Sequence, residues 1–270
     1  MPELPEVETI ANGLQKRVSG ELIDSVWLGS KPEPLKSPAK EIARVLEGAR
    51  VEKVRRVGKH IVFDLVAARG AARRQWIVHL GMTGRMLVAA PETELPKHTH
   101  LVARLGSGRE LRFVDPRRFG RLEVRESEFN GPGSEPMTIS AEDFARLFHK
   151  REAPIKALLL NQTLLHGVGN IYADESLFGA GVRPRRRAHS LTRTELKKLH
   201  AALRAVLKKA IAAGGSSVSD YVDADGEAGF FQLQHRVYGR EGEPCLVCKT
   251  KIKKIVVAGR GTHYCPKCQK

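Results

Sequence analysis

Four cysteines constrain this chain more tightly than anything else in it. They fall together in the final segment as Cys245-x2-Cys248 and, after sixteen intervening residues, Cys265-x2-Cys268. Each pair can close a tight knuckle, and two knuckles at this spacing bring four thiolates around one tetrahedral metal, as in a zinc ribbon. Two disulfides are the alternative, but nothing marks the chain as secreted, so the reading is one structural Zn2+ per chain. Four protein ligands leave no open position for substrate, so this metal holds a hairpin and does no chemistry. Lys249, Lys251, Lys253, Lys254 and Arg260 lie between the knuckles. The four lysines read equally as a ribbon that lies along phosphates or as solvated charge.

The opposite end carries a different signal. Met1-Pro2-Glu3-Leu4-Pro5-Glu6 puts a proline one processing step from the terminus, with two carboxylates within a helical turn of it. Removal of Met1 would expose a secondary amine, and an α-amino group has a pKa near ~8 against ~10.4 for lysine, so more of it is unprotonated at neutral pH. Its adduct with an aldehyde-like carbon is a charged iminium, a strong electron sink suited to driving eliminations. Were Met1 retained, Pro2 would be an amide with no nucleophilic nitrogen. The same residues also serve simply to open a helix, where proline and acidic groups are favoured. Leu4, Val7, Ile10, Leu14 and Val18 recur at spacings of three and four and predict that helix, with Glu3 and Glu6 near each other at its mouth.

A formal charge of +16 over 270 residues predicts attraction to a polyanion. No run of 18 apolar residues and no signal-peptide pattern is present, so the chain reads as soluble and intracellular, without a membrane partner. Short β-rich runs at Leu22 to Leu28, Val51 to Val57, Ile61 to Val66, Gln75 to Leu80, His100 to Leu105 and Leu111 to Val114 alternate with turn signals. That pattern predicts an antiparallel sandwich, and it stops at a linker around Asn130-Gly131-Pro132-Gly133-Ser134. Helices follow: Ser140 with Asp143 and Thr192 with Glu195 read as caps, and Leu196, Leu199, Leu203, Val206, Leu207 and Ile211 form one long apolar face before Gly214-Gly215. The organisation is therefore α+β and multidomain, with expected segments 1–131, 132–238 and 239–270.

Several motifs could carry chemistry. Asp115-Pro116-Arg117-Arg118-Phe119-Gly120 joins two strands, and an apolar wedge beside an arginine is what enters a base stack and fills the space of an extruded nucleotide. Taken alone, Phe119 reads more readily as a packed hairpin residue, and Met82 as core. Lys59, after Gly58, could bring an ammonium to a phosphate, whereas His98 and His100 alternate on one strand face and read first as structural. Gly167-Val168-Gly169 before Asn170 lets backbone amides converge on an anion at a helix start.

Together these residues resemble the formamidopyrimidine-DNA glycosylases of the MutM type, in the family's order from Pro2-Glu3-Leu4-Pro5-Glu6-Val7-Glu8-Thr9 through Asp115–Gly120 and Gly167–Tyr172 to the four cysteines. The resemblance implies an N-terminal antiparallel β-sandwich with flanking helices, a helix-two-turns-helix DNA-binding domain and a zinc-finger β-hairpin. It implies Pro2 as nucleophile at the sugar C1′ of an oxidised purine nucleotide, Glu3 as acid, Glu6 as a supporting carboxylate, and Lys59 and Arg260 as basic groups at the target phosphates. It implies DNA contacts from His98, Arg117, Arg151 and Asn170, with Met82, Arg117 and Phe119 filling the void left by the flipped base. The expected partner is double-stranded DNA bearing 8-oxoguanine or formamidopyrimidines, and the expected setting is a monomer in the bacterial cytosol, associated with the nucleoid through DNA. Gly214 to Tyr221 resembles the family's base-capping loop, although Ser219 stands where relatives often have a basic residue. The related endonuclease VIII type prefers oxidised pyrimidines; Leu4, where that branch typically has glycine, and the Met82, Arg117 and Phe119 trio favour the purine enzyme. A scaffold that only binds DNA is the reading from another class.

Overall fold

The computed structural model describes residues 1–67, 73–217 and 229–270. Two compact units divide the chain: Met1–Asn130 with the described residues of Gly214–Phe230, and Gly131–Ala213 with Phe231–Lys270. The first break falls inside the Pro/Gly-rich stretch that sequence marks as a linker. The return of residues 214–217 to the first unit has a specific cause, a hydrogen bond to Glu6 described below.

In the first unit, helix α1 (Leu4–Val18) precedes strand β1 (Ile23–Leu28) and helix α2 (Ala39–Leu46). Seven further strands follow: β2 (Ala49–Val57), β3 (His60–Ala67), β4 (Arg73–His79), β5 (Arg85–Ala89), β6 (Thr99–Leu105), β7 (Glu110–Val114) and β8 (Arg121–Arg125). They form two antiparallel sheets, ordered β1-β6-β7-β5 and β2-β3-β4-β8. Val7, Ile10, Leu14 and Val18, the predicted stripe of α1, are all buried and share one core with Ile42 and Leu46 of α2 and the inward residues of both sheets. Phe63 and Trp76 stack at 4.6 Å in that core. Burying each such side chain contributes about 1.5–3 kcal/mol, so apolar burial holds this unit together. Strands β5 and β8, five residues each and opening on Arg85 and Arg121, escape the sequence pattern because they are short and carry charge.

The second unit holds α3 (Ala141–Phe148), α4 (Ile155–Leu159), α5 (Asn170–Ala180), α6 (Arg193–Ala212) and a hairpin of β9 (Lys253–Val257) and β10 (Arg260–Tyr264). Both expected caps form. The Ser140 hydroxyl accepts from the Asp143 amide at 3.0 Å, and Thr192 and Glu195 make a reciprocal capping box at 3.2 and 2.8 Å. Arg186, bonded to the Glu195 carboxylate at 2.5 and 3.1 Å, helps to hold that carboxyl down to about 2. Helix α5 stops at Gly181, whose φ of 72° closes a left-handed C-cap that glycine adopts without steric cost. No helix among the described residues is long and apolar enough to cross a membrane.

Candidate active site

The first turn of α1 gathers the chain terminus and two carboxylates. Glu3 occupies the N-cap and is 5% exposed, and its backbone N–H donates to Glu6 Oε2 at 2.8 Å. The other Glu6 oxygen accepts from the Ser216 amide, also at 2.8 Å, so one carboxylate ties the helix mouth to the segment that follows α6. A Cβ at Gly215 would lie 3.0 Å from Glu6 Cγ and Oε1, and its φ is 83°, so glycine is required there both for space and for backbone conformation. Pro2 is buried directly ahead of this turn while Met1 is half exposed. The rest of the resemblance to a capping loop, Ser219 included, lies outside the described residues.

Lys59 sits in the β2–β3 turn after Gly58 and is 7% exposed. Strand register sets His60 opposite His79, and His79 opposite Arg121. Burial, then the charges of Lys59 and Arg121, push the His79 imidazole down to about 4, so it is neutral at physiological pH and its Nδ1 accepts the Gly81 amide at 3.2 Å. The sequence reading passed over His79. Its signal was available only through register, since a residue that pairs with position 60 must sit beside the Lys59 turn.

Two loops carry Met82, Arg117 and Phe119, the residues expected to act as a wedge. Asp115, fully buried, accepts from Thr83 Oγ1 at 2.6 Å and from the Gly120 amide at 2.7 Å, which locks residues 81–84 against 115–120. A Cβ on Gly81 would come within 2.5 Å of the Phe119 carbonyl carbon, so these loops touch backbone to backbone. Met82 and Phe119 are therefore held outward, 41% and 50% exposed, and the Arg117 guanidinium lies 5.0 Å over the Phe119 ring. Read alone, both residues suggested packing; the structure exposes both because the glycines and Asp115 fill the space behind them. The two histidines also correct a simple expectation, for they do not share a strand face. Strand β6 begins at Thr99, His98 lies before it with a φ of 69° and is exposed, and His100 is buried with Nε2 2.9 Å from the Asp115 carbonyl.

In the second unit, Gly169 caps α5, and Asn170 opens it with Nδ2 donating to the Gly261 carbonyl at 2.9 Å. Arg260 begins β10, after a two-residue turn in which Ala258 and Gly259 both have positive φ. Arg260 is thus the immediate neighbour of the residue that anchors Asn170. Beneath them Lys156 and Asp174, both fully buried, pair at 2.6 Å; Lys156 also reaches Thr262 Oγ1 at 2.8 Å, and Asp174 Oδ2 accepts from the His263 amide at 2.8 Å. A buried pair recovers its desolvation cost only with such extra hydrogen bonds, and here they lock α4 and α5 to the hairpin that carries Arg260. Neither residue has any signature in sequence. Arg151 is exposed after α3, with Nε donating to the Leu147 carbonyl at 2.6 Å.

No disulfide joins the four cysteines, whose Sγ atoms lie within 4.8 Å of one another, with Cys248 to Cys265 at 3.4 Å and Cys245 to Cys268 at 3.9 Å. Disulfides need about 2.05 Å, whereas zinc–thiolate bonds of about 2.3 Å in a tetrahedron set sulfur–sulfur edges near 3.8 Å. The donors fit one zinc. Around them, among the described residues, the apolar support is Phe178, Val237 and Ile252.

With this geometry in view, the chain matches three family descriptions in sequence: "Formamidopyrimidine-DNA glycosylase N-terminal domain" over residues 1–122, "Formamidopyrimidine-DNA glycosylase H2TH domain" over 131–222, and "Zinc finger found in FPG and IleRS" over 242–270. The chain belongs to the formamidopyrimidine-DNA glycosylase family. It is 45% identical to a formamidopyrimidine-DNA glycosylase of Solibacter usitatus over the full length of both chains. Among solved structures it is similar to the MutM (Fpg) protein of Thermus thermophilus, with 42% identity, a TM-score of 0.86 and coverage of 99% and 98% of the two chains. It is also similar to a Lactococcus lactis Fpg mutant in complex with Fapy-dG-containing DNA, at 34% identity and a TM-score of 0.89 over all of both chains. Family membership matches the expected β-sandwich, helical segment and zinc hairpin, and it accounts for the metal as a structural zinc.

Proposed function

We propose that this chain is a bifunctional base-excision repair enzyme that removes 8-oxoguanine and formamidopyrimidines from duplex DNA and then cleaves the abasic strand. The observation that carries the reading is the first turn of α1, where Pro2 is followed by two buried carboxylates, one of them anchored by the Ser216 amide. Once Met1 is removed, the Pro2 nitrogen bonds to C1′ as the glycosidic bond breaks and the base leaves with a proton. Glu3 is the acid that opens the sugar ring and serves later proton transfers. The iminium acidifies C2′–H; loss of that proton expels the 3′ phosphate, and a second elimination expels the 5′ phosphate, leaving a one-nucleotide gap. Lys59 and Arg260 act at the target phosphates, with Glu6 as the supporting carboxylate. His98, Arg117, Arg151 and Asn170 bind DNA, and Met82, Arg117 and Phe119 fill the void of the flipped nucleotide. These roles belong to a catalytic segment 1–131, a DNA-binding segment 132–238 and a zinc finger 239–270. The enzyme acts as a monomer in the bacterial cytosol, on the nucleoid.

Borohydride trapping on duplex DNA containing 8-oxoguanine opposite cytosine tests the reading, with an oxidised-pyrimidine duplex alongside because a Lactococcus lactis relative was crystallised with such DNA. The expected result is a covalent adduct mapped to Pro2 and formed preferentially on the purine lesion. An adduct on Lys59, or stable binding with no adduct at all, would remove Pro2 from the nucleophile role.

Glu3→Gln keeps the side-chain volume and removes the proton, so base excision should fall by about 10²–10⁴-fold while lesion binding persists. Cleavage of a preformed abasic site should survive in part, since that substrate has already lost its base. Near-normal excision by the mutant would take the acid role away from Glu3.

Salt dependence separates clamp from wedge. With about five phosphates neutralised, log affinity should fall against log salt with a slope near −4 to −5. Arg260→Ala should flatten that slope by about one unit. Phe119→Ala removes no charge, so it should weaken binding by about 1–3 kcal/mol at an unchanged slope. Titration of both variants across a salt series checks the assignment, and the opposite pattern would reverse it.

A further inference from the structure

Strand β7 has no side that faces water. Leu111 and Phe113 belong to the apolar core, yet Glu110, Arg112 and Val114 on the alternate face are buried too, and Arg112 is 2% exposed. A fully buried guanidinium is costly unless its donors are used, and nothing in the chemistry above employs this one. We infer that Arg112 is a positioning residue for duplex binding: it touches no DNA and acts through His98, whose loop it holds against the sheet. The inference rests on the proposed contact of His98 with DNA and names what sets that contact.

The loop in question, residues 90–98, joins β5 to β6. Residues 91–95, 97 and 98 are exposed and Ala90 and Pro96 are half-buried, so no apolar side chain of the loop is buried to hold it down. Its backbone is held instead. The Arg112 guanidinium donates to the Glu94 carbonyl at 3.1 Å, the Thr93 carbonyl at 3.0 Å and the Ala90 carbonyl at 3.3 Å. Its Nε donates to Glu110 Oε2 at 2.9 Å, which balances the charge beneath the loop. A buried ion pair recovers its desolvation cost only with further hydrogen bonds, and the three carbonyls supply them.

The loop delivers His98. That residue has a φ of 69°, a left-handed backbone that a non-glycine side chain keeps only where the chain on both sides dictates it. Downstream, the His98 carbonyl accepts from the Asp115 amide at 3.0 Å, and Thr99 turns back to the Pro96 carbonyl through its amide at 3.2 Å and its hydroxyl at 2.6 Å. Upstream, the hold on the sheet is the guanidinium. Without it three carbonyls lose their donor and regain one from water only by lifting off the strand. A lifted loop must be ordered again when DNA binds, so the loss falls on affinity and leaves the chemical step alone.

A double-mutant cycle tests this, because a residue that acts through His98 has nothing further to lose once His98 is gone. On 8-oxoguanine duplex, Arg112→Met and His98→Ala should each weaken binding by roughly three- to tenfold, and the two together by no more than about twofold beyond the weaker single variant. Arg112→Lys keeps the charge against Glu110 but lacks the planar fork, so it should fall between wild type and Arg112→Met. Excision at saturating enzyme should stay within about twofold of wild type for both Arg112 variants. Thermal melting accompanies each titration, and if Arg112→Met is unfolded at the assay temperature, Arg112→Lys takes its place in the cycle. Effects that multiply in the double variant, or folded Arg112 variants that bind at full affinity beside a weakened His98→Ala, would overturn this inference alone. Full affinity in His98→Ala would remove the histidine from DNA contact and the inference with it. Wild-type protein that neither binds nor traps lesion DNA would overturn the repair reading itself.

Discussion

Protein that keeps a residue ahead of Pro2 should form no borohydride-trapped adduct and excise no base, while its affinity for lesion DNA stays within about threefold of the processed enzyme. An N-terminal extension that cannot be cleaved, compared with processed protein by mass spectrometry and trapping, makes the measurement. Acylation of the Pro2 nitrogen converts an amine into an amide, which removes its lone pair from chemistry altogether. This is a loss in kind and larger than any side-chain substitution should produce. The fold should tolerate it, because Met1 is half exposed and the α1 stripe is buried behind the first turn. Trapping at a normal rate by the extended protein would transfer the nucleophile elsewhere.

Removal of zinc should unfold residues 242–270 and leave the β-sandwich intact. Structural zinc contributes on the order of 10–16 kcal/mol in isolated finger peptides, and here the described apolar support beside the four cysteines is three side chains. Loss of the hairpin withdraws Gly261 from Asn170 and Thr262 from Lys156, leaving a buried ammonium and carboxylate with fewer partners. Hydrogen exchange in chelator-treated protein should show the hairpin amides unprotected and the strands of residues 49–125 protected, with DNA affinity reduced by at least about tenfold. Cys265→Ser should act in the same direction. Verified zinc-free protein with full DNA affinity would exclude the hairpin from binding.

Much of the architecture was legible because its causes are local. The α1 stripe, the caps at Ser140 and Thr192, and the end of the α6 pattern at Gly214 depend on residues a few positions apart, where helix geometry alone decides who meets whom. Strands β5 and β8 were missed where the run was short and charged. For Phe119 and Met82, composition pointed the wrong way: both are apolar, and only the backbone contact of Gly81 with residues 119–120 shows why they cannot turn inward.

What the sequence determined by itself was therefore the set of short-range devices: the two cysteine knuckles and hence the zinc, the helix that presents Glu3 and Glu6, and the motif order that marks the family. Tertiary structure alone decided which distant groups complete them. His79 joins Lys59 through strand register, Ser216 reaches Glu6 across 210 positions, and Lys156 with Asp174 fixes the turn bearing Arg260. The physical reason is that backbone geometry correlates neighbours only over a turn or two. Beyond that range, partners are chosen by which buried polar group must be satisfied once the apolar cores have closed, and that demand has no fixed spacing along a chain.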